Sequence, residues 1–160
     1  MTSETLPGGL VERLATLSPD AVIYADADGK IRFWNPAAIR IFGYTAEEAL
    51  GQSLDLIVPA PQRARHWEGY NRVMAGGESR YGEGDLLAVP AMRKDGTRIS
   101  IEFTVLPVHD DLGHMLGIAA FLRDVTSRFE EVRALRREIA ALKAQAATTT
   151  PAPEAGKIRA

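Results

Sequence analysis

Leu10, Val11, Leu14 and Leu17 recur at helical spacing after Pro7-Gly8-Gly9 and stop at Ser18-Pro19-Asp20, which predicts a short amphipathic leader helix. The period then changes. Ala21-Val22-Ile23-Tyr24-Ala25 is apolar and β-prone, Asp26 to Gly29 supply an Asx-type turn, and Ile31-Arg32-Phe33-Trp34 resumes strand character, so a β-hairpin is expected. Asn35-Pro36 ends it and launches a helix, because asparagine accepts from orphan amides while proline at the first helical position has no donor to lose. Ala37, Ala38, Ile41 and Phe42 form the buried stripe of that helix and Gly43 closes it. Thr45-Ala46-Glu47-Glu48 opens a further helical turn with carboxylates at its positive end. Gly51 to Pro61 is a short interrupted segment carrying Leu54, Ile57 and Val58, followed by a longer helix from Gln62 to Met74 that ends at Gly76-Gly77.

Strand patterns then take over at Leu86 to Met92, Ile99 to Val108 and Leu116 to Val125, separated by the turns Lys94-Asp95-Gly96-Thr97 and His109-Asp110-Asp111-Leu112-Gly113. Two strands, a cluster of short helices and three antiparallel strands make an α+β plan. From Arg128 the period is helical again. Val132, Leu135, Ile139 and Leu142 are spaced three, four, three among Glu and Arg, which is a heptad seam of about two repeats. The remaining AATTTPAPEAGKIRA has the composition of a disordered tail. The expected division is leader 1–18, α+β domain 19–127, coiled-coil helix 128–147 and tail 148–160.

Length and composition narrow the function. A chain of 160 residues holds one ordinary core plus a helix or tail, and 46% hydrophobic with 25% charged residues are globular values. Nineteen basic against twenty-one acidic residues, net −2, supply no field for phosphates, so direct nucleic-acid binding is disfavoured. The chain has no cysteine, which removes disulfides, thiolate metal sites, cysteine nucleophiles and cysteinyl attachment of a flavin or other chromophore. No basic n-region precedes an apolar run in the first twenty residues, and no apolar stretch of about 18 residues occurs. A soluble cytoplasmic protein with no membrane partner is expected.

Candidate chemistry is sparse. His66, Tyr70 and Val73 lie at i, i+4 and i+7 of the long helix, so a neutral imidazole stands on the same face as apolar groups. His109 and His114 sit in a polar turn without a third donor, a poor metal site. Gly82-Glu83-Gly84 is glycine-rich, but no Gly-Lys-Ser/Thr follows to make a phosphate loop. No histidine-carboxylate-nucleophile set and no kinase or cyclase motif is present, so an enzyme is not expected.

Taken in order, Gly29-Lys30-Ile31, Phe33-Trp34-Asn35-Pro36-Ala37-Ala38, Phe42-Gly43-Tyr44 with Glu47-Glu48, Gly51, Arg93-Lys94-Asp95-Gly96-Thr97 and Arg123-Asp124-Val125-Thr126 resemble a PAS domain over about residues 19 to 127. The resemblance implies a PAS fold: a five-stranded antiparallel sheet with short helices on one face, enclosing a pocket for a ligand, cofactor or partner. It also implies that Asp124 and Thr126 carry signal from sheet to exit helix; with the heptad seam, a homodimer is expected, with a histidine kinase or transcriptional regulator as a candidate partner. The helix around His66 is similar to that of the haem-binding oxygen-sensing PAS domains of rhizobial histidine kinases. By that resemblance His66 becomes the haem iron ligand, and Arg72 and Arg80 fall where basic side chains hold propionates. One departure stands out. Those sensors place an arginine over the distal face, whereas the aligned residue here is Leu86 or Leu87, which cannot donate to a bound gas. Met92 is a second conceivable iron ligand, beside the Arg93-Lys94-Asp95-Gly96 turn. Non-covalent FAD, or no cofactor at all in a protein-interaction and dimerisation module, are the alternatives to haem.

Overall fold

The computed structural model describes residues 8–76 and 87–149, the side chains of Leu87 and Thr149 excepted. The described residues form two compact units that divide after Val125. In the first, helix α1 (Leu10–Leu17) precedes strands β1 (Ala21–Asp26) and β2 (Ile31–Trp34). Helices α2 (Pro36–Phe42), α3 (Ala46–Ala49) and α4 (Arg63–Met74) follow, with two single 3₁₀ turns between α3 and α4 at Leu54–Leu56 and Ala60–Gln62. Strands β3 (Leu87–Met92), β4 (Arg98–His109) and β5 (Met115–Asp124) complete one antiparallel sheet in the order β2-β1-β5-β4-β3.

Local chemistry explains the short elements. Asn35 accepts from the Ala38 amide at 2.9 Å while Pro36 occupies the first turn, and Gly43 closes α2 at φ 82, a left-handed conformation that glycine adopts without a Cβ penalty. Thr45 and Glu48 form a reciprocal capping box on α3. Gly51 to Pro61 contains no full helix because Ser53 caps a single turn and Pro59 and Pro61 interrupt the hydrogen-bond ladder.

Register sets which residues share a sheet face. Ala21, Ile23 and Ala25 lie opposite Leu122, Ala120 and Ile118 of β5. Across β4 the same rows continue through Phe103, paired with both Leu122 and Leu87, and Ile101, paired with Val89. A slip of one residue would turn this apolar set to solvent, so the alternation fixes the pairing. These side chains pack under the short helices with Ile31, Trp34, Phe42 and Ala49 as the main core. A smaller cluster joins Ala25 and Ile118 to Tyr70 and Val73 of α4.

Asn35 ties the leader to this core. Its side chain is 1% exposed, accepts from the Val22 amide, and donates to the carbonyls of Ala15 in α1 and of Asp20. The apolar residues Val11, Leu14 and Leu17 of α1 are nevertheless exposed.

The second unit is one helix, α5 (Thr126–Thr149), starting two residues before the sequence pattern suggests and running through Ala146–Thr149, where composition alone reads as tail. The alanines at 140, 141, 144, 146 and 147 favour helix through this stretch. Val132, Leu135, Ile139 and Leu142 are between 39% and 58% exposed, so the seam finds no cover within the described chain. Among the described residues no helix is long and apolar enough to cross a membrane.

Candidate ligand pocket

Between α4, the turns before it and the apolar sheet face lies an open cavity of about 720 Å³. Binding sites for small molecules and cofactors fall in the same size range. Its floor is Ile23, Ala25, Ile101, Phe103, Val105, Ile118, Ala120 and Leu122, and its opposite wall includes Leu54, Ile57, Val58, Gln62, Arg65, His66, Tyr70, Arg72 and Val73. All described residues that line it from the sheet are apolar.

The structure brings His66, Tyr70 and Val73 to this one cavity, as their helical spacing predicts, and Arg72 also lines it. Tyr70, though, is not a free polar group. Its hydroxyl is directed at the backbone carbonyls of Ala25 and Asp26, and burial, helped by the charge of Asp26, pushes the phenol well above its usual range. It therefore stays protonated and anchors α4 to the end of β1. Trp67 holds the same helix from the other side: its indole donates to Asp55 Oδ1 at 2.8 Å and lies flush against Gly29, where any Cβ would collide with the ring. Arg72 is at the rim but pairs with Glu68 at 2.8 Å.

His66 is the polar feature of the pocket. Its ring packs edge-on to Trp67 and 6.0 Å from Tyr70, centroid to centroid, and its Nδ1 is buried with no hydrogen-bond partner. Burial depresses its pKa below the ordinary histidine value, with the charge of Asp55 opposing, so the imidazole is neutral at neutral pH. Gln62 Oε1, one turn earlier, is likewise buried without a partner. Sequence reasoning passed over Gln62, which no local pattern distinguishes.

Several sequence-based candidates fall elsewhere. Arg80 and Leu86 lie outside the described residues, and Leu87 is described only by its backbone pairing with Phe103. Met92 does not line the cavity: it pairs with Arg98, and in the alternation of β3 it takes the face opposite to Ala91, which does. His114 pairs with Asp110 at 2.9 Å, and no cluster able to hold a metal ion occurs among the described residues.

At the far end of the sheet, Asp124 closes β5 and Thr126 opens α5. Asp124 receives Arg93 Nη2 at 2.6 Å, and the Val125 amide donates to Ser100 O at 2.9 Å. Arg93, read from sequence as a turn residue, thus clamps the end of the last strand to the β3–β4 turn.

The model of the PAS fold matches residues 15–130. The chain belongs to the PAS-fold family. It is 32% identical over 114 residues to the sensor protein FixL of Bradyrhizobium diazoefficiens, covering 68% of this chain and 21% of that protein. It is 33% identical over 88 residues to the oxygen sensor protein DosP of Escherichia coli, covering 55% of this chain and 11% of that protein. A PAS domain from Colwellia psychrerythraea shares the fold at a TM-score of 0.64 and 21% identity, covering 73% of this chain and 95% of that one. The chain spans between 11% and 21% of the length of the first curated relatives it matches. It is a PAS domain homologous to domains of sensor proteins.

Proposed function

We propose that the PAS cavity takes a haem through His66 and that the chain works as a gas-sensing module signalling through a paired α5. The observation that carries this is His66 itself: a half-buried, neutral imidazole facing the apolar sheet across a cavity of about 720 Å³. With Nδ1 turned into the protein, the ring nitrogen left for a ligand is Nε2, the arrangement that a metal-binding histidine requires. The residues present fit the group. Apolar walls suit the macrocycle, and Arg72 and Arg65 at the rim offer charge to propionates, Arg72 by exchanging its Glu68 partner. Likeness to the named oxygen sensor DosP and the sensor FixL supports the reading. Haem, when bound, supplies an iron centre for a diatomic gas. The apolar sheet face offers no donor among the described lining residues, which favours a ligand such as carbon monoxide that needs little polar help.

The test is substitution of the one imidazole. Wild-type protein reconstituted with haem should show a Soret band whose position and intensity are lost in His66→Ala. Retention of the same band in the variant rejects His66 as the ligand.

Output in this reading runs through Asp124 and Thr126 into α5, which pairs with a second copy across Val132, Leu135, Ile139 and Leu142 and engages a histidine kinase or transcriptional regulator in the cytoplasm. The seam's exposure in the single chain supports pairing, since apolar side chains repeating at heptad spacing are buried by a facing helix. A second reading, a cofactor-free interaction module, draws on the exposed Val11, Leu14 and Leu17 of α1. A protein that stays colourless through haem titration favours it.

A further inference from the structure

We propose that Gln62 is the positioning residue of the pocket histidine: its side-chain carbonyl takes the Nδ1–H of His66 and thereby presents Nε2 to the cavity. The role toward an iron ligand rests on the haem reading above; the tautomer it sets does not.

The described part of the cavity holds two buried polar side-chain atoms with no hydrogen-bond partner, on residues four apart in the chain. Gln62 Oε1 is an acceptor without a donor and His66 Nδ1 is a ring nitrogen without an acceptor. Gln62 precedes α4 in helical backbone, φ −96 and ψ −10, so the two side chains stand at i and i+4 on one face. Both line the cavity. A buried ring nitrogen and a buried acceptor left unmet on one helix face are each costly, and a side-chain rotation that pairs them removes both deficits.

The other polar groups near the ring have partners of their own. Asp55 Oδ1 accepts from Trp67 Nε1 at 2.8 Å and has Arg63 Nε at 3.7 Å. The Tyr70 hydroxyl is directed at the carbonyls of Ala25 and Asp26. The Trp67 indole is a donor only. Among these neighbours Gln62 Oε1 is the buried acceptor without a partner, whereas the Asp55 carboxylate is 37% exposed and so open to water.

A neutral imidazole carries one N–H and one lone pair, so a bond that holds the proton on Nδ1 places the lone pair on Nε2. The same bond makes Nε2 a stronger donor to a metal, as outer-shell acceptors do for ligating histidines.

Two measurements on the full chain test this. In haem-free protein, nitrogen-15 NMR of the His66 ring should show the Nδ1–H tautomer in the wild type and in Gln62→Glu, and a shift toward the Nε2–H tautomer in Gln62→Leu, with Asp55→Asn unchanged. In haem-reconstituted ferrous protein, the iron–histidine stretch seen by resonance Raman should fall in Gln62→Leu and rise in Gln62→Glu, and haem should leave Gln62→Leu about tenfold faster. An Nε2–H tautomer in the wild type, a ring that ignores both Gln62 variants, or a response confined to Asp55→Asn overturns the assignment. A wild type that shows the Nδ1–H tautomer but binds no haem overturns the haem reading and leaves Gln62 as the partner of His66.

Discussion

Tyr70 illustrates how a residue placed on a pocket by spacing acquires a different task from packing. Position i+4 from His66 puts it on the cavity wall, but only the approach of α4 to the end of β1 brings its hydroxyl to the Ala25 and Asp26 carbonyls. Tyr70→Phe should therefore cost about 1 kcal/mol of stability, read by urea denaturation, while leaving the cavity apolar and open. His66 makes a pH prediction. Its folded pKa is depressed, so the unfolded chain binds more protons once pH drops toward the ordinary histidine value of about 6.5. The contribution of His66 to stability is intact above that value and is lost as pH falls through the lower folded pKa. The acid-side fall in melting temperature should be shallower in His66→Phe, and an identical pH profile in both proteins would contradict the burial of the neutral ring. What sequence could read at this scale were residues whose job is local: Asn35 as a cap, Gly43 as a helix stop, Thr45 with Glu48 as a box. What it could not read were partners far apart in the chain, such as Asn35 with Ala15 and Arg93 with Asp124.

Among the elements, strands and helices follow period closely, and their ends shift by a residue or two because the last ladder bonds depend on the neighbour. Gly117 is the position that period could not flag. It looks like an ordinary weak spot in β5, yet a Cβ there would press on the Ala25 carbonyl and the Tyr24 ring. Gly117→Ala should destabilise the fold by about 3 kcal/mol through the central β1–β5 pairing, measured by thermal or urea unfolding. The interrupted turns between α3 and α4 were legible as broken helix, because proline and serine act locally. In α5 the heptad spacing is legible but its partner is not, since a seam specifies a facing helix without naming it. Leu135→Asp should convert a dimer to a monomer by light scattering. An unchanged mass would remove the seam as the dimer contact.

For the whole molecule, every described residue that lines the cavity belongs to the first unit and every seam residue to the second. Leu135→Asp should accordingly leave haem affinity unchanged while it abolishes pairing, a result that an optical titration and a sizing run on the same sample would show together. The order of elements, the antiparallel sheet and the family were legible from the sequence because many weak local signals agreed in order. The cavity was legible only by resemblance: a void is the space that side chains leave, and no residue pattern records what is missing. The most direct measurement is the absorption spectrum of the wild-type protein through a haem titration. A Soret band that saturates at about one haem per chain, as a single histidine ligand implies, is the predicted result, and a difference spectrum indistinguishable from haem in buffer would contradict the account.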